Sequence, residues 1–131
     1  MEEFVTIEIA KLLEELEFDG YCMAYYRGGD GALLLAKERV DKTWIEEHSS
    51  KNHSKYYLAP TQQMVKRWLK EVHEIFIGEN YVNYENGSCS YFIVAKNMKN
   101  NAIIEYRSFD NLEFGINRVI FYILKLIKDR N

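Results

Sequence analysis

The 131 residues contain a single proline, Pro60, and two cysteines, Cys22 and Cys89. One proline excludes a proline-rich linker or a polyproline segment. The cysteines lie far apart in apolar runs and form no Cys-x-x-Cys pair. They predict small buried hydrophobes with free thiols, as in a reducing compartment, rather than a disulfide frame. No apolar run is long enough for a membrane helix, and the opening MEEFVTIEIAKLL starts acidic and breaks its apolar positions with charge. Neither a membrane span nor a signal peptide is expected, and a cytoplasmic location follows. Gly-x-Ser-x-Gly, Walker and His-Glu-x-x-His patterns are all missing. Ser88-Cys89-Ser90 has no base beside it in the sequence, and His73 reads as a boundary histidine whose helix end favours its charged form. No cofactor is implied, and the reading leans away from an enzyme.

What is present is apolar and aromatic. Hydrophobic residues make up 47% and aromatic residues 15% of the chain, which rules out a disordered tail. Residues 1–131 read as a single α+β domain, large enough to bury a core without staples. The net charge of −3 is unevenly placed. Residues 1–47 hold 12 acids and 5 bases, residues 48–70 hold 5 bases and no acid, and residues 71–131 hold 8 acids and 7 bases. The basic block is Lys51, Lys55, Lys66, Arg67 and Lys70. Such a block can bind phosphate or an acidic partner, or can neutralise the acidic first third.

The chain predicts the order α-β-β, loop, α-β-β-β-α, with a mainly antiparallel sheet and helices packed on one face. Thr6 caps a helix over 7–17 with Ile9, Leu12, Leu13 and Leu16 inward. Strands at 21–26 and 32–36 flank Arg27-Gly28-Gly29-Asp30-Gly31, which reads as a hairpin turn because no helix start follows the glycines. Residues 37–59 form a long polar connection in which Asp41 or Thr43 caps a short turn around Trp44 and Ile45. His48 and His53 lie there beside Glu46 and Glu47, but nothing fixes them as converging metal ligands, so no metal site is expected. Pro60 and Thr61 start an amphipathic helix with Met64, Val65, Trp68, Leu69 and Val72 inward and Gln62, Gln63, Lys66, Arg67, Lys70 and Glu71 outward. Strand residues Ile75, Phe76 and Ile77 follow, with Gly78 as a bulge, then a two-residue turn at Asn86-Gly87 and a buried strand over 89–95. A third strand covers 102–107, and Asp110 with Glu113 matches the capping-box spacing of a last helix.

That last helix is apolar on two sides. Leu112, Ile116, Val119, Ile120, Ile123, Leu126 and Ile127 form one stripe, and Phe114, Phe121 and Leu124 lie roughly opposite. The N-terminal helix, the 37–59 connection or another subunit must cover the second side. Phe114, Phe121 and Leu124 are therefore the candidate oligomer face, with a homodimer as one outcome. Tyr21, Tyr25, Tyr81, Tyr84 and Tyr91 could line one sheet face fit for a protein partner.

The halves share an outline, with Thr6 and Thr61 each starting a helix and Ala36-Lys37 and Ala95-Lys96 each ending a hairpin. In element order the αβββα unit over 61–128 resembles a double-stranded-RNA-binding domain. That family sets lysines at the start of its last helix, where this chain has Asp110, Asn111 and Glu113, so the resemblance carries no RNA-binding expectation. The residues Ala59-Pro60-Thr61-Gln62, Trp68-Leu69-Lys70-Glu71-Val72-His73, Ile75, Ile77 and Phe109-Asp110 resemble a group of small phage, prophage and mobile-element proteins of unassigned activity. The resemblance spans roughly 58–128. It implies a cytoplasmic accessory protein and transfers no site residues. The function expected is a non-catalytic module that binds another protein or itself, with nucleic-acid binding through the basic 48–70 segment as the alternative.

Overall fold

The computed structural model describes residues 3–130. The fold is α+β, with four helices and two antiparallel three-stranded sheets. Helix α1 (Ile7–Glu15) starts at Thr6, whose hydroxyl accepts from the Ile9 amide. Strands β1 (Cys22–Arg27) and β2 (Leu33–Val40) form the first hairpin, with Asp30 pinned to Arg27 at 2.7 Å across the turn. Short strand β3 (Tyr56–Leu58) adds to the free edge of β1, giving the order β2-β1-β3.

This first sheet corrects the expected polar connection at 37–59. Strand β2 runs on to Val40, and helix α2 (Lys42–Asn52) follows under an Asp41 cap whose carboxylate accepts from the Trp44 amide at 2.9 Å. The helix is polar because most of it faces solvent; it is held through Ile45, which is buried, and one face of rings. Trp44 stacks on His48 at 4.4 Å, and Tyr25 and Tyr56 pack against the same pair. A helix that buries one edge needs few apolar residues, which is why its period is invisible in the sequence.

The second unit follows the expected order. Helix α3 (Gln62–His73) starts at Thr61, whose hydroxyl accepts from the Met64 amide at 3.2 Å. Strands β4 (Ile75–Asn83), β5 (Cys89–Asn97) and β6 (Ile103–Phe109) form a meander with β5 in the centre. Helix α4 (Leu112–Arg130) returns across it. Pairing from Ile75↔Asn97 to Asn83↔Cys89 is unbroken, so Gly78 is not a bulge. It is small because the Phe76 ring lies across it, 2.7 Å from where a Cβ would stand. The β4–β5 turn has three residues, not two. Tyr84 and Ser88 close it, and Gly87 takes φ 88° as the third loop residue. The last helix is capped by Asn111, whose side chain accepts from the Phe114 amide at 2.8 Å, one residue beyond the expected Asp110.

The lead-ins to α1 and α3 cross antiparallel. The Val5 amide donates to Pro60 O, the Gln62 amide donates to Glu3 O, and Phe4 bridges Thr61. Gln62, expected on the solvent side, is instead buried and donates through Nε2 to Glu113 O at the start of α4, 2.8 Å away. Val72, expected inward, is exposed. One cluster of buried side chains links Ile9 and Leu13 of α1, Cys22 and Val40 of the first sheet, Leu69 of α3, Ile77 and Ile93 of the second sheet and Ile120 and Leu124 of α4.

Candidate functional site

The basic run of the sequence is divided by the fold. Lys55 pairs with Glu14 of α1 at 2.7 Å, and Lys66 pairs with Glu79 of β4 at 2.8 Å. Lys51 lies in the last turn of α2. Among the described residues, Lys51, Arg67 and Lys70 have no acid within 4.0 Å. Helix spacing does bring Lys66, Arg67 and Lys70 together. With Gln63, Glu71, Phe76 and Ile77 they line a groove of about 270 Å³ between α3 and the start of β4. Lys51 and Lys55 do not line it.

The second sheet is covered on one side only. Ile75, Ile77, Ile93 and Ala95 alternate inward beneath α3 and α4 and are buried. The opposite parity holds Phe76, Gly78, Asn80 and Val82 on β4, Phe92, Val94 and Lys96 on β5, and Tyr106 on β6, as the register Phe76↔Lys96, Gly78↔Val94, Asn80↔Phe92 and Val94↔Tyr106 requires. Phe76 is 45% exposed and Tyr106 59%, while Phe92 and Val94 are half-buried. Phe92 and Tyr106 stack on each other at 6.0 Å. These side chains line a shallow trough of about 580 Å³. Its floor is low because Gly78 lacks a side chain there. Phe76 borders both the trough and the α3 groove, so the two depressions meet at its ring. Aromatic side chains are enriched at the cores of partner surfaces, and contiguous exposed apolar patches often mark them.

Sequence patterning alone does not mark these outer-face residues as a site. The available signal was β5 itself, whose apolar residues occupy both parities: Tyr91, Ile93 and Ala95 on one, Phe92 and Val94 on the other. The tyrosines expected to line one sheet face do not share one. Tyr25 belongs to the first sheet, in the ring cluster under α2, whereas Tyr81 and Tyr91 pair on the second.

The proposed oligomer face on α4 is only partly exposed. Leu124 is fully buried in the core, which removes it from that face. Helix α1 covers this side, and Lys128 of α4 reaches Glu15 of α1 at 2.7 Å. Phe121 is half-buried, and Phe114 is 59% exposed with its ring edge-on to Phe109 at 6.2 Å. Phe114 and Phe121 line a groove of about 210 Å³ with Thr6, Glu8, Asn117 and Arg118.

The remaining reactive groups are placed by packing. Cys22 and Cys89 are free, and burial pushes the Cys22 thiol up to about 12. His73 lies edge-on to Trp68 at 4.7 Å with its Nε2 buried and unpartnered. Burial lowers its pKa, so the expectation that the helix end favours the charged ring is overturned. His48 is committed to its stack with Trp44, and Asn52 approaches its Nδ1 at 3.3 Å. Among the described residues no helix is long and apolar enough to cross a membrane. No protein-family model, curated protein or solved structure matches the chain.

Proposed function

We propose that this chain is a non-catalytic protein-binding module whose working surface is the open face of β4-β5-β6. The observation that carries the reading is the uncovered stripe of Phe76, Phe92, Val94 and Tyr106 on a three-stranded sheet. Apolar surface left in water costs about 25 cal/mol per Å², and a partner that covers it recovers that energy. Free thiols at Cys22 and Cys89 support a cytoplasmic role, and the likeness to small phage and mobile-element proteins supports an accessory one.

The test is a photo-crosslinking amino acid placed at Tyr106, with Tyr122 on α4 as the control position. Both side chains are exposed. In cells, the reading expects a discrete adduct from position 106 that is missing from position 122. Excess wild-type protein displaces it, and protein carrying Phe92→Asp does not. Adducts of equal intensity at both positions, or none, refute the reading.

A second reading is nucleic-acid binding through Lys51, Lys55, Lys66, Arg67 and Lys70. Its support is that Lys51, Arg67 and Lys70 have no acidic partner among the described residues. It expects affinity for an oligonucleotide that falls steeply with salt. A flat salt response, or no mobility shift at low salt, removes it.

A further inference from the structure

The trough and the α3 groove differ in chemistry. The trough is lined mainly by carbon, Phe76, Val82, Phe92, Val94 and Tyr106 over Gly78, with Asn80 and the Lys66-paired Glu79 as its polar members. The groove beyond Phe76 is lined by three bases, Lys66, Arg67 and Lys70, with Gln63 and one acid, Glu71. Lys66 is neutralised by Glu79, but Arg67 and Lys70 are exposed and have no acid within 4.0 Å among the described residues. Lys96 lies directly across from Phe76 on the open face. Three cations without a salt bridge among the described residues, Arg67, Lys70 and Lys96, against the single carboxylate of Glu71 in the groove, thus leave a net positive charge at one end of an apolar trough.

We infer that the occupant is a peptide segment of a partner protein, apolar along the trough and acidic where it passes Phe76. The inference rests on reading the open sheet face as the binding surface. From Phe76 to Val82 the strand advances about 20 Å. An extended segment of about six residues spans that distance, as does a helix of about 13. Its carboxylates would meet Arg67, Lys70 and Lys96, and its apolar side chains would cover Phe92, Val94 and Tyr106.

A single-stranded nucleic acid fits less well. Its phosphates need cations along the whole track and its bases need free ring faces. Here the basic charge is confined to one end, the lining beyond it is aliphatic at Val94 and Val82, and Phe92 and Tyr106 stack on each other at 6.0 Å.

The experiment is to pan a random peptide display library on the immobilised full chain and synthesise the enriched peptides. Enriched sequences are expected to carry Asp or Glu to one side of Leu, Phe or Trp. Binding of such a peptide should weaken about tenfold or more in Arg67→Glu/Lys70→Glu, and with added salt. It should be lost in Phe92→Asp, or in Tyr106→Ser should the first variant not fold. Arg67→Glu/Lys70→Glu should melt like wild type, since both side chains are exposed and unpaired.

Enriched peptides that are neutral or basic, and that respond to Phe92→Asp but not to Arg67→Glu/Lys70→Glu, overturn the acidic occupant while the open face stands as a binding surface. No enrichment, or binding indifferent to Phe92→Asp and Tyr106→Ser, overturns both. Tighter binding of oligothymidylate or oligouridylate than of any peptide, lost with the same variants, overturns the inference in favour of nucleic acid. A concentration-dependent dimer that Phe92→Asp dissolves overturns it in favour of a second copy of this chain.

Discussion

Gly78 in β4 and Gly115 in α4 each have an aromatic ring too close for a Cβ, and should respond to alanine in opposite ways. A Cβ at Gly78 would stand 2.7 Å from Cε2 of Phe76, and a Cβ at Gly115 would stand 2.6 Å from Cδ2 of Phe109 and 2.7 Å from Cδ1 of Ile93. In both places something must move. At Gly78 the obstacle is the far end of a ring that is 45% exposed, free to rotate toward water. The alanine then gains about 0.5–1 kcal/mol over glycine in a strand, and the net change should lie between zero and a gain of that size. At Gly115 the obstacles are the base of the Phe109 ring and the tip of Ile93, which is fully buried. A helical alanine gains about 1 kcal/mol, but overpacking costs about 1–3 kcal/mol. Two obstacles at once, one fully buried and one half-buried, favour the upper half of that range, so the net loss should be about 1–2 kcal/mol. Gly29, which has nothing within 4 Å of its Cβ position, is the control. Urea unfolding followed by circular dichroism reads the difference. With a slope of about 2 kcal/mol per M, the two variants should separate by about 1 M in midpoint. A Gly115→Ala protein as stable as wild type would show that α4 does not seat against β5 and β6 as described. A Gly78→Ala protein that loses more than about 1 kcal/mol would show that Phe76 is pinned, and the face it borders would not be open.

Other substitutions test the remaining contacts. Trp44→Ala should cost about 2–3 kcal/mol, below the range for a fully buried tryptophan, and should raise amide exchange across 42–52; unchanged protection there would mean that the ring cluster does not hold α2. Gln62→Leu deletes the donor to Glu113 O and should cost about 1–2 kcal/mol, read as a fall in urea midpoint. Iodoacetamide on the native protein should label Cys89 and leave Cys22 unmodified, because burial pushes the Cys22 thiol up to about 12 and thiolate is the reacting form; mass spectrometry showing equal labelling would refute that burial. His73 gives a pH dependence. Burial lowers its folded pKa below the ordinary 6.5, so the unfolded chain takes up the proton first. The stability held by the neutral ring is whole above about pH 6.5 and is lost as pH falls from there through the folded value. The urea midpoint should therefore drop between about pH 7.5 and about pH 5, and the drop should shrink in His73→Gln.

Local rules placed the elements whose signals are local. Thr6 and Thr61 start their helices with nearly identical cap angles, φ −72° and −76°, since a hydroxyl that accepts from the third residue along is a property of a few adjacent residues. The glycine turn at 28–31 and the order helix, three strands, helix after Pro60 are legible for the same reason. What local rules could not supply was long-range pairing. Strand β3 has three residues and exists because β1 offers a free edge. Helix α2 exists as packed structure because Trp44 and His48 find Tyr25 and Tyr56. The basic block was real as composition, but Glu14 and Glu79, distant in sequence from their partners, take Lys55 and Lys66 out of it. Leu124 looked like part of an outer stripe until α1 lay over that side of α4.

The open face was hidden for a different reason. Strand β5 is apolar on both parities, the pattern of a strand covered twice. A one-residue slip would turn Phe76, Phe92 and Val94 inward and Ile75, Ile77 and Ile93 outward, and both sets are apolar, so patterning alone does not choose between them. Lys96 and Gly78 break the tie. Both share a parity with Phe92 through the register Gly78↔Val94 and Phe76↔Lys96. Turned inward, Gly78 would leave a void beneath α3, and Lys96 would bring an unpaired ammonium into the core at a cost of several kcal/mol. Turned outward, the glycine lowers the trough floor and the lysine adds charge at its end. The two residues that decide which side of the sheet the helices cover are therefore also the ones that shape the side left open. Replacing Lys96 with leucine should keep the fold, because Gly78 still favours this face as the outer one, but it should enlarge the apolar patch and promote association. Light scattering across protein concentration would read that change, and a Lys96→Leu protein as monodisperse as wild type would argue that the outer face is not accessible.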